Sequence, residues 1–540
     1  MISPMPSCLV DKSEEEVGMP EKYDCIVVGA GIGGLTCACL LAKNGLKTVV
    51  FEQHFKPGGY VTSYERKGFT FDIPDVISAC RPSKNIGRLF SYMGLDKEIK
   101  LIEFDPYLKF IYPDHSIKVW TNVDKYEEEL SKKFPHESRN IHRYFETIKK
   151  MWHEICMMPI FPKPLQMPLF PIKYPRVLKY LNKTFQNLLD EHFEDSKLKT
   201  IISTPWPYIG VHPSQLSAIT MVGMLMSYHD GAFRPVGPFQ DIPDALAKKL
   251  QEFGGEICLK TRVRKILIER GKATGVELDD GEIVGAEYVI SNADTKRTFL
   301  ELVGREHLKS KFVQELESKE VSLSGFVVHL GVDMDLEKYD LNYATVFYFP
   351  SYNTLDDAYK LAKEGKIITE TPSMGVGISV PTLASGISEL APEGKHCVAL
   401  MVYPVPYNFE NYWRSGEARR HTTEYRRLKD ELAAKLIKVA ENMIPELSRR
   451  IEVTDIATPL TFERFTLSSN GAWYDLAVTP GQTNLHRPHR TPILNLYLTG
   501  AKSLGVGMFG AMSSGLLTAD TILKGKLTGG GLTLRGGKYA

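Results

Sequence analysis

Four glycines and one carboxylate near the N-terminus have the types and spacing of a nucleotide cradle. Gly29, Gly31 and Gly34 fill the pattern GxGxxG, Gly33 adds a fourth glycine, and Glu52 follows 18 residues after Gly34. In this pattern the first glycine permits a tight turn, the second lets backbone approach a pyrophosphate, and the third lets a helix pack closely on a strand. A carboxylate about 20 residues further on can accept hydrogen bonds from both ribose hydroxyls. Glycines alone could serve packing only; strand, glycines, helix, strand and acid in this order are hard to produce by accident.

The elements that must hold these residues are legible around them. Ile26, Val27 and Val28 form a short apolar, mostly β-branched run that ends at Gly29, the pattern of a buried parallel strand meeting a turn. Residues 35–43 predict a helix, with Leu35, Ala38, Cys39, Leu41 and Ala42 at helical spacing and Gly45 as its stop. That helix would aim its free N–H groups and positive dipole end at the phosphates. Residues 48–51 predict the second strand, which delivers Glu52.

Composition narrows the functional class. The chain has 540 residues, 66 basic and 65 acidic, with a formal charge of +1. No long-range field therefore favours nucleic acid, and the length predicts two intertwined domains. Cys8, Cys25, Cys37, Cys39, Cys80, Cys156, Cys258 and Cys397 are scattered. They form no CxxC pair and no zinc-ligand spacing, so no metal site is expected and the thiols read as buried and inert. Residues 1–20 lack a basic region followed by an apolar run and are predicted as a mobile tail. No apolar window of about 18 residues is long enough to cross a bilayer.

One stretch departs from ordinary composition. Residues 155–185 carry six prolines and many Met, Phe, Ile and Leu side chains, with Lys and Arg176 but no acid. Proline at this density forbids a regular helix through residues 159–175. The stretch reads either as a lid over a long apolar cavity or as a segment dipping into a bilayer edge with its basic side chains at the headgroups. Plain core packing is the third reading.

Beyond Glu52 the chain continues with Pro57-Gly58-Gly59-Tyr60 and then Gly68-Phe69-Thr70-Phe71-Asp72. Here it resembles the glutathione-reductase-like flavoproteins, whose pattern runs from the ribose acid to a GG pair and then G-x-x-x-D-x-G. The last glycine is replaced by Pro74. Tyr228-His229-Asp230-Gly231-Ala232-Phe233-Arg234-Pro235-Val236-Gly237 resembles the segment that, in the phytoene desaturase, carotenoid isomerase and retinol saturase family, returns the chain from substrate domain to flavin domain. Residues 495–511 resemble the C-terminal flavin motif of that family. They contain a second GxGxxG at Gly505, Gly507 and Gly510. No strand with a ribose acid follows it, which argues against a nicotinamide site.

The resemblance implies an α/β fold: a Rossmann-like, glutathione-reductase-like FAD-binding domain with an inserted α+β substrate domain. The corresponding segments are 21–135, 241–311 and 451–525 for the flavin domain and 136–240 and 312–450 for the substrate domain, with tails at 1–20 and 526–540. It implies non-covalent FAD held by Gly29, Gly31, Ile32, Gly33, Gly34, Glu52, Gln53, Gly58, Gly59, Tyr60, Val263, Gly500, Ala501, Gly507, Met508, Gly510 and Ala511. The helix after Gly500 would turn its positive end to the flavin ring. The implied partners are a hydrophobic polyene or isoprenoid substrate, an external electron carrier or quinone, and a peripheral membrane contact. Hydrogen transfer at a carbon–carbon double bond is the expected reaction, with saturation or isomerisation favoured over desaturation by the glycine-rich C-terminal motif.

Acid or base groups would place a proton on such a bond. The candidates are Tyr228, His229, Asp230 and Arg234 before the return helix, and Glu463, Arg464, Trp473 and Tyr474 before the C-terminal motif. A hydrogen-bonded turn is the competing reading for His229 and Asp230, and pocket wall for Trp473 and Tyr474. Two rival functions share the fold: an amine oxidase with an aromatic cage for a cation, and a prenyl-lipid-binding protein like the Rab GDP-dissociation inhibitors, which carries out no redox chemistry.

Overall fold

The computed structural model describes residues 22–158, 168–364, 374–384, 388–405, 422–482, 489–501, 505–529 and 532. The tail 1–20, the 159–167 part of the proline-rich stretch, residues 502–504 and the C-terminal 533–540 lie outside the described residues.

The first strand, Lys22–Val28, sits inside a seven-stranded sheet. On one side it pairs in parallel with Thr48–Phe51, which pairs in parallel with Glu256–Cys258. On the other side it pairs in parallel with Ile283–Ser291, whose end pairs in parallel with Leu496–Leu498. An antiparallel meander, Val263–Glu269 and Lys272–Leu278, runs into Ile283–Ser291. Parallel strands are covered on both faces, and the unbroken apolar runs of the sequence reflect that. The helix Ile32–Lys43 is buried at every residue but Lys43, because the helices Asp241–Glu252 and Gly507–Ile522 pack beside it. A helix apolar on all faces belongs in a core. Asn44 caps it and Gly45 follows at φ 88°, where glycine carries no Cβ penalty.

The second large sheet is also seven-stranded, in the order Ile451–Ala457, Ser324–Val332, His396–Val405, Val376–Ser379, Thr345–Tyr348, Leu108–Ile111 and Ser116–Val119. Its strand Ser324–Val332 is buried along all nine residues. Pro113, Asp114 and His115 between two apolar runs predict a hairpin from sequence, and Leu108–Ile111/Ser116–Val119 forms it here, with Leu108–Ile111 paired in parallel with Thr345–Tyr348. It therefore belongs to this sheet although the sequence order groups it with the first flavin-domain segment. A layer of helices, including Ser138–Met157, Phe185–His192, Ser196–Ser203 and Ala218–His229, packs its own core around Tyr144, Phe145, Leu188 and Trp206.

Two local outcomes differ from the sequence expectation. Short helices form at Phe170–Lys173 and Pro175–Tyr180, inside and just past the stretch expected to be non-helical. Pro171 and Pro175 fall in the first turns, where the missing N–H would be unsatisfied anyway. The sequence from Met512 to Leu523 predicts the C-terminal helix, which begins earlier, at Gly507. Its glycines are poor helix formers, but tertiary packing overrides propensity there. Among the described residues no helix is long and apolar enough to cross a membrane.

Candidate functional site

One continuous cavity of about 1380 Å³ runs from the edge of the first sheet to the second. Its nucleotide end lies where Val28, Phe51 and Leu498 finish their parallel strands. Open α/β sheets bind ligands in that crevice.

The glycines act there by removing side chains from close backbone approaches. A Cβ on Gly34 would lie 2.4 Å from the Gly29 carbonyl, and one on Gly31 would lie 2.5 Å from Asn292 Nδ2. Gly33, unexplained by the motif, faces Gly500: a Cβ there would meet Gly500 Cα at 2.7 Å. At Gly515 a Cβ would be 2.6 Å from the Gly33 carbonyl, so these glycines let the first and last helices cross. Gly58 donates its N–H to the Ala30 carbonyl at 2.9 Å and bridges to Gly31, which fastens the GG loop onto the first glycine loop. With φ 125° at Gly58 and 62° at Gly59, this turn suits glycine.

Glu52 stands at the crevice rim. Its Oε2 accepts the Ala30 N–H at 2.7 Å and its Oε1 the His54 N–H at 2.8 Å, leaving each oxygen a lone pair for a ribose hydroxyl. Burial pushes its carboxyl above the ordinary range, and these backbone N–H groups pull it part of the way back. Gln53 and Val263 line the same end, and the N-terminus of the last helix contributes Gly507, Met508 and Ala511. No acid sits in the first turn of that helix, so its positive end is unneutralised within the helix. Of the residues assigned to a cofactor from sequence, Gly29, Gly31, Ile32, Gly33, Glu52, Gln53, Gly58, Gly59, Tyr60, Val263, Gly500, Ala501, Gly507, Met508 and Ala511 line the cavity. Gly34 and Gly510 stand behind the wall; a Cβ on Gly510 would come within 2.2 Å of the Gly505 backbone.

The other end is apolar and aromatic, with Trp152, Met224, Phe347, Met401, Tyr403 and Trp473 in its wall. Phe347, Met401 and Tyr403 come from the second sheet, one face of which roofs the chamber. Tyr60 joins the two ends: it lines the cavity while its hydroxyl donates to the Ala472 carbonyl at 2.8 Å. Burial pushes its phenol up to about 12.

The candidate proton-handling residues separate. Tyr228, Trp473 and Tyr474 line the chamber. His229, Asp230, Arg234, Glu463 and Arg464 are not part of its wall. His229 is buried with Nδ1 against the Thr121 carbonyl at 3.1 Å, and burial lowers it to about 4, so it is a neutral ring tying a helix end to a neighbouring loop. Asp230 caps that helix and pairs with Lys84 at 2.5 Å. Arg234 pairs with Asp72 at 3.0 Å, both buried. Asp72 also accepts from Ser63 Oγ and the Phe239 N–H, so it pins the segment ahead of the missing glycine to the return strand.

Sequence reasoning missed three participants. Asn292 directly follows the strand Ile283–Ser291, and its side chain is the wedge between Gly31 and Gly500, 2.5 Å and 2.7 Å from where their Cβ atoms would be. Asp75 lines the chamber, receiving hydrogen bonds from Tyr208 and Thr345. Its one sequence signal is its place directly after Pro74. Ser513, like Trp473, lines the cavity, and among the described residues Ser513 Oγ and Trp473 Nε1 are buried with no hydrogen-bond partner. Cys25, Cys37, Cys39, Cys80 and Cys397 are buried, and burial raises each of them; Cys156 and Cys258 are only half-buried, so the expected burial holds for five of the thiols, and Cys8 lies outside the described residues. Among the described residues no group of three metal-ligating side chains assembles.

A family model described as an NAD(P)-binding Rossmann-like domain matches residues 27–93. Prolycopene isomerase of Daucus carota is 27% identical over 95% of this chain and 83% of its own length. All-trans-retinol 13,14-reductase of Danio rerio is 26% identical over 94% and 87%, respectively. The 4,4'-diapophytoene desaturase (4,4'-diapolycopene-forming) of a Methylomonas species is 26% identical over 88% and 90%. A solved structure of putrescine oxidase with putrescine bound superposes with a TM-score of 0.60 over 93% of this chain and 99% of its own, at 16% identity, a likeness of fold alone.

Proposed function

We propose that this chain, a relative of prolycopene isomerases, retinol reductases and diapophytoene desaturases along almost its whole length, is an FAD-dependent oxidoreductase acting on carbon–carbon double bonds of a polyene or isoprenoid lipid. Saturation or isomerisation is favoured over desaturation. The observation that carries the reading is the single cavity, whose one end is a glycine cradle with a ribose acid and whose other end is a long aromatic and apolar chamber.

When bound, the flavin supplies hydride exchange with carbon. The chain's own residues do the rest. Gly31, Gly33 and the Gly58-Gly59 turn admit the pyrophosphate, and Glu52 takes the ribose. The N-terminus of helix Gly507–Ile522 would offer positive potential to a bound flavin, and among the described residues Trp473 Nε1 and Ser513 Oγ have no hydrogen-bond partner. Phe347, Met401 and Tyr403 align an extended apolar substrate and exclude water. With no second nucleotide cradle among the described residues, electrons are exchanged with an external carrier or quinone unless the reaction is redox-neutral.

The chamber reaches Trp152, Ile155, Cys156 and Met158 at the end of helix Ser138–Met157. Beside that end in the chain, Met157, Leu169, Ile172 and Leu178 are exposed, with Lys173 and Lys179 among them. This lip is the proposed peripheral contact with a bilayer, through which a lipid substrate enters. The amine-oxidase alternative needs ring faces turned toward a cation. Tyr403 and Trp473 meet edge to face at 78°, so this pair does not present two parallel faces.

The test is anaerobic. Candidate polyenes are incubated with photoreduced enzyme under argon and followed by mass and absorption. A gain of two hydrogens, or an unchanged mass with a shifted spectrum, is expected. Activity only with oxidised flavin plus an acceptor overturns the preferred direction. Reduction of the flavin by a small amine, with no polyene reacting, overturns the lipid assignment.

A further inference from the structure

The loop after strand Phe69–Asp72 runs Ile73-Pro74-Asp75. Asp75 lines the large chamber and also a second cavity of about 20 Å³, whose wall includes Asp72, Arg234, His329 and Ser379. The rest of its lining is mostly apolar, and a space of that size has room for about one water where those polar groups reach it. A carboxyl in the chamber wall with a water-sized space behind it can give a proton on one side and regain one on the other. Asp75 Oδ2 accepts from the Tyr208 hydroxyl and from Thr345 Oγ1, each at 2.6 Å. These donors lie 133 and 270 positions along the chain, so the fold, not the local loop, orients the carboxyl.

Burial raises the Asp75 carboxyl above the ordinary aspartate range, and Thr345 and Tyr208, with the backbone N–H groups of Asp75 and Val76, pull it part of the way back. The groups that feel its charge are Tyr208, Tyr228, Tyr403 and Tyr474, phenols kept neutral by burial, and Arg234. The guanidinium is already matched by Asp72. An acid in an apolar site kept protonated by desolvation is suited to giving a proton to carbon.

We propose that Asp75 is the acid that protonates a carbon of the polyene double bond, with Tyr208 and Thr345 as its positioning residues; this rests on the function proposed above. The Asp75 O–H bond breaks and a C–H bond forms. In saturation the neighbouring carbon receives a hydride equivalent, with its electron pair, from the reduced flavin, which is left oxidised, and the carboxylate regains a proton from solvent. In isomerisation the electrons stay on the substrate, and a proton returns to Asp75 after rotation about the former double bond. Either way solvent deuterium enters the polyene.

The experiment uses flavin-loaded enzyme in D2O with a polyene that the wild type converts. Asp75→Asn is expected to keep its flavin, to convert the polyene at least about 100-fold more slowly, and to lose the infrared carbonyl stretch of a protonated carboxyl that the wild type shows without substrate. Asp75→Glu restores part of both. Tyr208→Phe removes a donor that favours the carboxylate, so the activity lost as pH rises through the Asp75 pKa is lost at higher pH; a purely structural role would lower activity without moving the profile. Should Asp75→Asn lose its flavin, that profile carries the test alone. Conversion by Asp75→Asn at the wild-type rate with the same deuterium uptake, or an unmoved profile in Tyr208→Phe, overturns the proposal. A flavin-loaded wild type that converts no polyene overturns the parent reading and this one with it, and is distinguished because it appears before any substitution.

Discussion

The two ends of the cavity solve recognition in opposite ways. At the nucleotide end the work is done by missing side chains: Gly31, Gly33, Gly34 and Gly510 each leave a gap that a single Cβ would close to under 3 Å. At the substrate end it is done by large side chains, with Phe347, Tyr403, Trp473 and Tyr474 filling the wall. Those gaps are closed against other parts of the chain, so the glycines let its segments pack as closely as the proposed pyrophosphate cradle requires, and no atom can be added. An extended lipid is gripped by apolar area and tolerates exchange of one ring for another.

The largest expected effect breaks the first end and spares the second. Gly31→Val should abolish flavin retention, read as loss of the yellow chromophore from protein that still folds by circular dichroism. Phe347→Leu should keep the flavin and alter only the KM for the polyene. Equal, small effects of both would erase the distinction. Glu52→Gln lies between them, weakening flavin binding without abolishing it, because the neutral amide still accepts one ribose hydroxyl.

A smaller effect is expected at the joint. Asp72 ties strand Phe69–Asp72 and Ser63 to Arg234 on the return strand Ala232–Pro235. Arg234→Met leaves a buried carboxyl without its cation and should cost about 3–5 kcal/mol, measured by denaturant unfolding. Adding Asp72→Asn should recover much of that loss, since it is the stranded charge that is costly. If the double variant is no more stable than the single one, the pair acts through packing alone. This joint also accounts for the missing glycine: with Pro74 in its place, the loop is held by Asp72 from one side and by Asp75 from the other.

The same contrast explains what the sequence could reveal. Glycine spacing is local, and each glycine's identity is its function, so the strand Thr48–Phe51, the first helix and Glu52 were readable in order. The packing role of Gly33 was not, because its partner Gly500 lies at the other end of the chain. The chamber was harder still. Asp75, Tyr208, Tyr228, Thr345 and Tyr474 have no common spacing, and only the second sheet and the helical layer bring them together. His229 and Arg234 attracted notice as titratable neighbours in sequence, yet each is consumed by a structural partner, Thr121 and Asp72 respectively. Buried polar residues are engaged as a rule, so a titratable type in a motif says little until its partners are known.

The smallest effect concerns the rim, where the chamber meets solvent. Ile172 is 77% exposed and Leu169 46%, an arrangement that costs free energy in water and is offset only when the side chains enter an apolar phase. Burying Ile172 in a bilayer contributes on the order of 1.5–3 kcal/mol, so Ile172→Asp should weaken vesicle binding about tenfold or more while leaving the bound flavin unchanged. Because apolar burial dominates, raised salt should not release the wild type from neutral vesicles, whereas binding held by Lys173 and Lys179 would fall with ionic strength. Flotation at low and high salt separates the two. If Ile172→Asp floats with the wild type, the exposed apolar side chains are not what holds the bilayer; if salt strips both, Lys173 and Lys179 hold it instead; and if neither floats at any salt, the lip is only a cover over the chamber, and the substrate end ends at Met158 instead of at a membrane.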